Sequence, residues 1–179
     1  MTENTPARLW LMRAGYVALG LMVIFFQLLP LETLPRRFTG PDLMIAFTFA
    51  WAVRRPDYVP ALLVAGLMLM TDLLLQRPPG LLAVLIVLTT QALKRRAPGL
   101  RDQTFAVEWL VVSLAALFVM LGNRLILAVL LIPQAPMGLT LIQTAMTVLT
   151  YPLVAALTAY AFGVQKLQPG DADVIGGKA

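Results

Sequence analysis

Long stretches of uncharged, mostly apolar residues recur along this chain of 179 residues, and charged residues gather in short segments between them. About 20 apolar residues in a helix are enough to cross the ~30 Å hydrocarbon core of a bilayer. The gaps between charges predict six spans, at about 14–34, 42–53, 57–76, 80–93, 105–132 and 137–165. We therefore expect an all-α polytopic membrane protein with one six-helix domain over 14–165.

The segments outside these spans are short. Residues 1–13 are expected to be a cytoplasmic N-terminus, and the Gly- and Asp-rich residues 166–179 a disordered cytoplasmic tail. The apolar run from Ala14 is long and is not closed by a small-residue cleavage pattern, so we interpret it as an uncleaved span. Pro152 predicts a kink in the sixth span.

The second and fourth spans are too short to cross a bilayer unaided. Twelve to fourteen helical residues measure about 18–21 Å. We expect these helices to be shielded by their neighbours, to lie in a thinned bilayer, or to be partly re-entrant.

The distribution of positive charge predicts the orientation. With six spans and both termini inside, ten of the fourteen Lys and Arg residues are cytoplasmic, three are outside, and Arg124 lies within the fifth span. Cytoplasmic loops are enriched in positive charge, and tryptophans favour the membrane interface. The tryptophans Trp10, Trp51 and Trp109 all fall at the predicted cytoplasmic boundary. The net charge of +5 thus indicates topology rather than binding of nucleic acid.

Composition narrows the possible chemistry. Only 13% of the residues are charged, against about 25% in soluble domains, and 59% are hydrophobic. The chain has no Cys and no His, which excludes disulfides, thiol nucleophiles, histidine bases and typical zinc sites. It also lacks a Gly-rich phosphate loop and a nucleophile elbow. We expect neither an enzyme nor a bound cofactor.

Two charges are predicted to lie deep in spans. Asp72 and Arg124 are each about 21–22 Å along their helices from the predicted cytoplasmic boundary, so their depths match. An intramembrane ion pair between them is one hypothesis, because buried charges in membranes usually pair. The alternative is that each side chain reaches toward the outer interface or has a partner of its own.

Small residues at helical spacing are candidates for helix docking. They form two stripes, Ala14 with Ala18 on the first span and Ala155, Ala159 and Gly163 on the sixth. Such stripes let helices approach closely, either within the bundle or against the helix of a partner. Two basic clusters, at 54–55 and 94–96, either anchor the topology or receive a cytoplasmic partner.

Several motifs follow one another between residues 41 and 93. A short helix opens at Pro41 and ends in a W-x-x-R-R-P motif, and a helix with a glycine and an aspartate then leads into a Pro-Gly turn. The residues of this pattern are Pro41, Trp51, Arg54, Arg55, Pro56, Gly66, Asp72, Pro78 and Gly80. Their order resembles the MreD family of bacterial rod shape-determining membrane proteins. Pro79 stands where the family usually has leucine, and the second half of the chain has no matching motif.

The resemblance implies a non-catalytic scaffold of the cell-elongation complex, which makes peptidoglycan, in the bacterial cytoplasmic (inner) membrane. Its implied partner is MreC, with RodA and a class B penicillin-binding transpeptidase beyond it and MreB linked indirectly. The family fold is similar to the six-helix substrate-binding subunits of energy-coupling-factor vitamin transporters, which is the alternative function. A transporter subunit would need an outer cavity lined by polar and aromatic residues. A third possibility is an ion or lipid carrier that uses Asp72 and Arg124.

Overall fold

The computed structural model describes residues 6–29 and 40–164, and helices make up most of both ranges. In these residues the chain forms six α-helices and one 3₁₀ turn at Pro56–Tyr58. The helices are α1 (Pro6–Leu28), α2 (Leu43–Arg54), α3 (Ala61–Leu74), α4 (Leu81–Leu100), α5 (Phe105–Val129) and α6 (Met137–Phe162). The expectation of an all-helical protein is confirmed.

Three helices, α1, α5 and α6, are long and apolar enough to cross a membrane. Helices α2 and α3 are also apolar, but their 12 and 14 residues measure only about 18 and 21 Å. The fold therefore has the character of a membrane protein. That all six helices cross the bilayer remains a prediction.

Two helices extend beyond the predicted spans. Helix α1 begins at Pro6 rather than near 14, and α4 continues through the basic cluster to Leu100 rather than ending near 93. Charged residues end an apolar run but do not end a helix, because Lys and Arg are good helix formers. Residues 30–34, residue 165 and the predicted tail at 166–179 lie outside the described residues.

The short helix α2 lies at the centre of the bundle. Nine of its twelve residues are buried, and it packs against both α4 and α6. Trp51 is fully buried, and its ring contacts those of Tyr16, Tyr58 and Phe162 at centroid distances of 5.5–6.2 Å. The expectation that neighbouring helices shield a short second helix is therefore confirmed for α2.

The basic clusters meet at one end of the bundle. Arg13 of α1 donates two hydrogen bonds to the carbonyl of Asp57 in the α2–α3 connection. Lys94 of α4 donates to the carbonyl of Val59 in the same connection. We call this the basic end. The turns that join α3 to α4 and α5 to α6 lie at the opposite end, so consecutive helices run in alternating directions.

Candidate functional site

Asp72 is held by the backbone at the start of the next helix. Its carboxylate is 1% exposed, and Oδ2 accepts hydrogen bonds of 3.2 Å from the amides of Gly80 and Ala83. The first amides of an α-helix have no partner within that helix, and an acceptor from elsewhere can satisfy them. Gly80 begins α4 with a positive φ of 86°, which glycine adopts without a steric penalty. Asp72 therefore fastens the end of α3 to the start of α4.

Arg124 is held by the connection between α5 and α6. Its Nη1 donates to the carbonyl of Ala135 at 3.0 Å and to Oγ1 of Thr140 at 2.9 Å. The side-chain amide of Gln134 in turn donates to the carbonyl of Arg124. The guanidinium thus braces the end of α5 against the first turn of α6.

The hypothesis of an ion pair between Asp72 and Arg124 is wrong for this structure. Within residues 6–29 and 40–164 the two side chains have separate partners, as the alternative supposed. Backbone amides at the start of α4 satisfy Asp72, and the carbonyl of Ala135 and the hydroxyl of Thr140 satisfy Arg124, so a matching depth did not bring the two charges together. The carrier hypothesis, which relied on this pair, loses its structural basis.

A buried ion pair within the described residues joins α2 to α5. Nε of Arg54 lies 2.9 Å from Oε1 of Glu108, and the Glu108 side chain is fully buried. Tyr151 of α6 donates its hydroxyl to the same oxygen at 2.8 Å, and Nη1 of Arg54 donates to the carbonyl of Ala155 at 2.9 Å. We call Arg54, Glu108 and Tyr151 the buried polar triad. It connects three helices near the basic end.

Sequence reasoning missed this triad. The basic cluster at 54–55 predicts that Arg54 anchors the topology or meets a partner, and the MreD-like pattern includes this residue, but no pattern singles out Glu108. The available signal was an isolated acid in the first turn of an apolar helix, opposite an arginine at the same predicted boundary. In an apolar setting such charges are costly unless they are paired.

The other residues of the MreD-like pattern have varied roles. Pro56 starts the 3₁₀ turn, and the amide of Arg55 closes the end of α2 by donating to the carbonyl of Trp51. The carbonyl of Pro41 accepts from Leu43 at the start of α2. Gly66, by contrast, is exposed, and a Cβ added there would meet nothing within 4 Å. The structure therefore gives no close-packing reason for glycine at 66.

The two predicted small-residue stripes differ in the structure. Ala14 and Ala18 are exposed on the outer face of α1. Ala155 is fully buried against α2, Ala159 is half-buried, and Gly163 ends α6 with a φ of 62°. The stripe on α6 is thus used in part within the bundle, whereas the stripe on α1 is free to meet another helix.

A polar cavity of about 290 Å³ lies among the helices toward the end opposite the basic end. It exists because α2 begins only halfway along α6. The amide of Asp42, the N-cap of α2, donates to Oγ1 of Thr147, which is ten residues, or about 15 Å, after the start of α6. The space beyond Asp42 is not filled by α2. Its polar lining residues are Asp42, Arg77, Asn123, Arg124, Gln134, Thr140, Gln143, Thr144 and Thr147.

The sequence contained a signal for this cavity that was not used. Thr140, Gln143, Thr144 and Thr147 repeat at helical spacing and share one face of an otherwise apolar helix. Such a face is expected to line a protein interior or a cavity rather than to face lipid.

The arrangement can hold helices together and can accommodate a small polar ligand. Over the described ranges, no group of three or more acidic residues is placed to hold a metal ion. Comparison of the chain with known protein families, with curated proteins and with solved structures finds no match. The class that the fold itself supports is that of a helical protein with three helices that are long and apolar enough to cross a membrane.

Proposed function

We propose that the protein is a non-catalytic scaffold of the bacterial cell-elongation complex that acts with MreC in the cytoplasmic membrane. The observation that carries the proposal is the role of the MreD-like motif residues. Trp51, Arg54, Asp72 and Gly80 all make contacts that hold the helices to one another. A family with a structural task would be expected to use its characteristic residues in this way.

The proposed topology has six spans, with both termini in the cytoplasm. It is supported by the meeting of Arg13, the α2–α3 connection and Lys94 at one end of the bundle. Positive charge concentrated at one end is expected of the cytoplasmic side.

The outer face of α1 is the proposed docking surface for the partner's transmembrane helix. Helix α1 is the least enclosed of the three long helices, with 17% of its most apolar stretch buried against 33% for α5 and 28% for α6. Ala14 and Ala18 lie on its exposed face. In lipid, close approach of small residues rather than a hydrophobic force drives helix association.

Affinity purification from native membranes in mild detergent tests this proposal. Wild-type protein is expected to recover MreC, and the double substitution Ala14→Leu with Ala18→Leu to reduce that recovery. Ala128→Leu is the matched control, because Ala128 is an exposed alanine on α5. Failure to recover MreC with wild-type protein would contradict the scaffold. Equal recovery by the double variant would contradict the assigned surface.

The polar cavity favours a second candidate, a substrate-binding membrane subunit of a small-molecule transporter. Its position at the predicted outer end agrees with such a role, but none of the described residues that line it is aromatic. Recovery of a pair of nucleotide-binding ATPases in the same purification would support this candidate over the scaffold.

A further inference from the structure

We propose that the polar cavity binds a phosphate-bearing anion whose substituent carries hydroxyl groups. The ligand is either the headgroup of an anionic phospholipid or a small soluble phosphate ester. This inference rests on the cavity alone and holds whether or not the protein associates with MreC.

The charges on the cavity walls favour an anion. Among the described lining residues, Arg77 comes from the α3–α4 turn, Arg124 from α5 and Asp42 from the start of α2, and together these three carry a net charge of +1. Oδ1 of Asp42 accepts a hydrogen bond from the amide of Ile45, so this carboxylate is directed in part to its own helix. The two arginines come from different elements of the fold, the α3–α4 turn and α5, and both line the cavity.

Arg77 is a cation with free donors. Its guanidinium makes no hydrogen bond or ion pair in the described parts of the chain. Its charge acts on the Asp72 carboxylate, but that carboxylate accepts from the backbone amides at the start of α4. Arginine has five N–H donors in a planar fork that suits phosphate oxygens. In a half-buried position beside a cavity, those donors are available to a ligand.

Helix termini add to the positive potential. Three helices, α2, α4 and α6, begin at the cavity, with Asp42, Pro78 and Ala135 at or just before their starts. Helix N-termini carry partial positive charge and favour anions. Carboxylates already cap α2 and α4, through Asp42 and Asp72, whereas no side chain caps α6 by a hydrogen bond. The amides of Met137 and Gly138 therefore have no acceptor among the described residues and can bind an anion.

The remaining lining indicates the substituent. Asn123, Gln143 and Thr144 add uncharged polar groups to the lining, and hydroxyl groups on the ligand can hydrogen-bond to such groups. The absence of aromatic residues from the described lining argues against a flat ring, and about 290 Å³ accommodates a group of the size of phosphoglycerol. The cavity also has apolar lining against which the carbon atoms of the ligand can pack, formed by Leu82, Met120 and Leu127.

The test uses delipidated full-length protein in detergent and two sets of probes. Native mass spectrometry measures retention of phosphatidylglycerol against phosphatidylcholine, and isothermal titration calorimetry measures binding of glycerol 3-phosphate. The variant Arg77→Gln removes one cation that makes no hydrogen bond within the described structure. Arg96→Gln is the matched control, because Arg96 is exposed on α4 beyond the basic-end contact of Lys94.

Wild-type protein and Arg96→Gln are expected to bind one of the anionic probes equally, and Arg77→Gln to bind it at least tenfold more weakly. If Arg77→Gln weakens only the retention of phosphatidylglycerol, the ligand is a lipid headgroup. If Arg77→Gln weakens the binding of glycerol 3-phosphate, the ligand is a soluble phosphate ester. The variant Gln143→Leu, which removes an amide from the opposite wall without changing charge, is expected to weaken the same probe. Binding of neither probe by wild-type protein, or equal weakening by Arg77→Gln and Arg96→Gln, would overturn the proposal.

Discussion

The buried polar triad gives the strongest stability prediction. Replacing Arg54 by Met removes the cationic partner of a carboxylate that is fully buried, while the Arg54 side chain itself is only 11% exposed. Removing one partner of a buried pair costs about 3–5 kcal/mol, because the charge left behind is poorly solvated. We therefore expect Arg54→Met to lower the free energy of unfolding by about that amount.

Glu108→Gln is expected to lower the free energy of unfolding by less than Arg54→Met does. Its amide oxygen can still accept from Tyr151, and Arg54 retains its bond to the carbonyl of Ala155. An unsatisfied or weakened buried hydrogen bond costs about 1–3 kcal/mol. Arg54→Met is expected to cost more than Glu108→Gln because of the charge that each variant leaves behind. Arg54→Met leaves the fully buried Glu108 carboxylate, whereas Glu108→Gln leaves the Arg54 guanidinium, which is 11% exposed.

Removal of the whole triad is expected to be milder than removal of Arg54 alone. Replacing a complete buried ionic group by apolar residues of similar volume is often neutral, because no charge is left without a partner. The triple variant Arg54→Met, Glu108→Leu and Tyr151→Phe should therefore regain most of the stability that Arg54→Met loses.

Equilibrium unfolding in mixed micelles with increasing SDS measures these differences, and the fluorescence of buried Trp51 reports the transition. Arg96→Met is the control, because Arg96 is an exposed arginine on α4. The reasoning would be refuted if Arg54→Met fell within about 0.5 kcal/mol of this control, a typical limit for surface substitutions. A triple variant less stable than Arg54→Met would refute it as well.

Four further outcomes are expected in the same unfolding assay. The double variant Asp72→Arg with Arg124→Asp should be no more stable to unfolding than the single variants, because each side chain has its own partners. A double variant that is more stable than the single variants would argue for direct pairing. Asp72→Ala should cost about 0.5–2 kcal/mol, the usual loss for a helix cap, whereas Asp72→Asn, which keeps an acceptor, should cost less. Gly80→Ala should cost roughly 1–2 kcal/mol because its φ is 86°, and Gly138→Ala, in open space on α6, should not show this loss. Gly66→Ala should be neutral or stabilising by up to about 1 kcal/mol, and a clear loss would indicate a packing role that the structure lacks.

The helices were predictable because their signal is local. Uncharged runs marked every helix, and Gly80 after Pro78 and Pro79 correctly placed the start of α4. Helices α1 and α4 extend past the limits of the predicted spans, because the end of an apolar run is not the end of a helix. Helical hydrogen bonding does not depend on apolar side chains, so Lys94 and its neighbours continue α4.

The partners of the charged residues were not predictable in the same way. Asp72 and Arg124 were correctly identified as unusual, but the partners of each are groups at neighbouring helix ends, which hydropathy does not locate. No sequence pattern singled out Glu108, and only the packing of α2 against α5 and α6 brings Arg54 and Tyr151 to it.

By itself the sequence determined that this protein is helical and apolar, that α2 is too short to span a bilayer unaided, and that positive charge gathers between particular helices. These properties follow from composition and from the spacing of charges along the chain. Only the tertiary structure decided that α2 lies beside the half of α6 nearer the basic end. A 12-residue helix enclosed there does not itself occupy the space beyond its first residue, and described residues of α5, α6 and the α3–α4 turn line the polar cavity at that level.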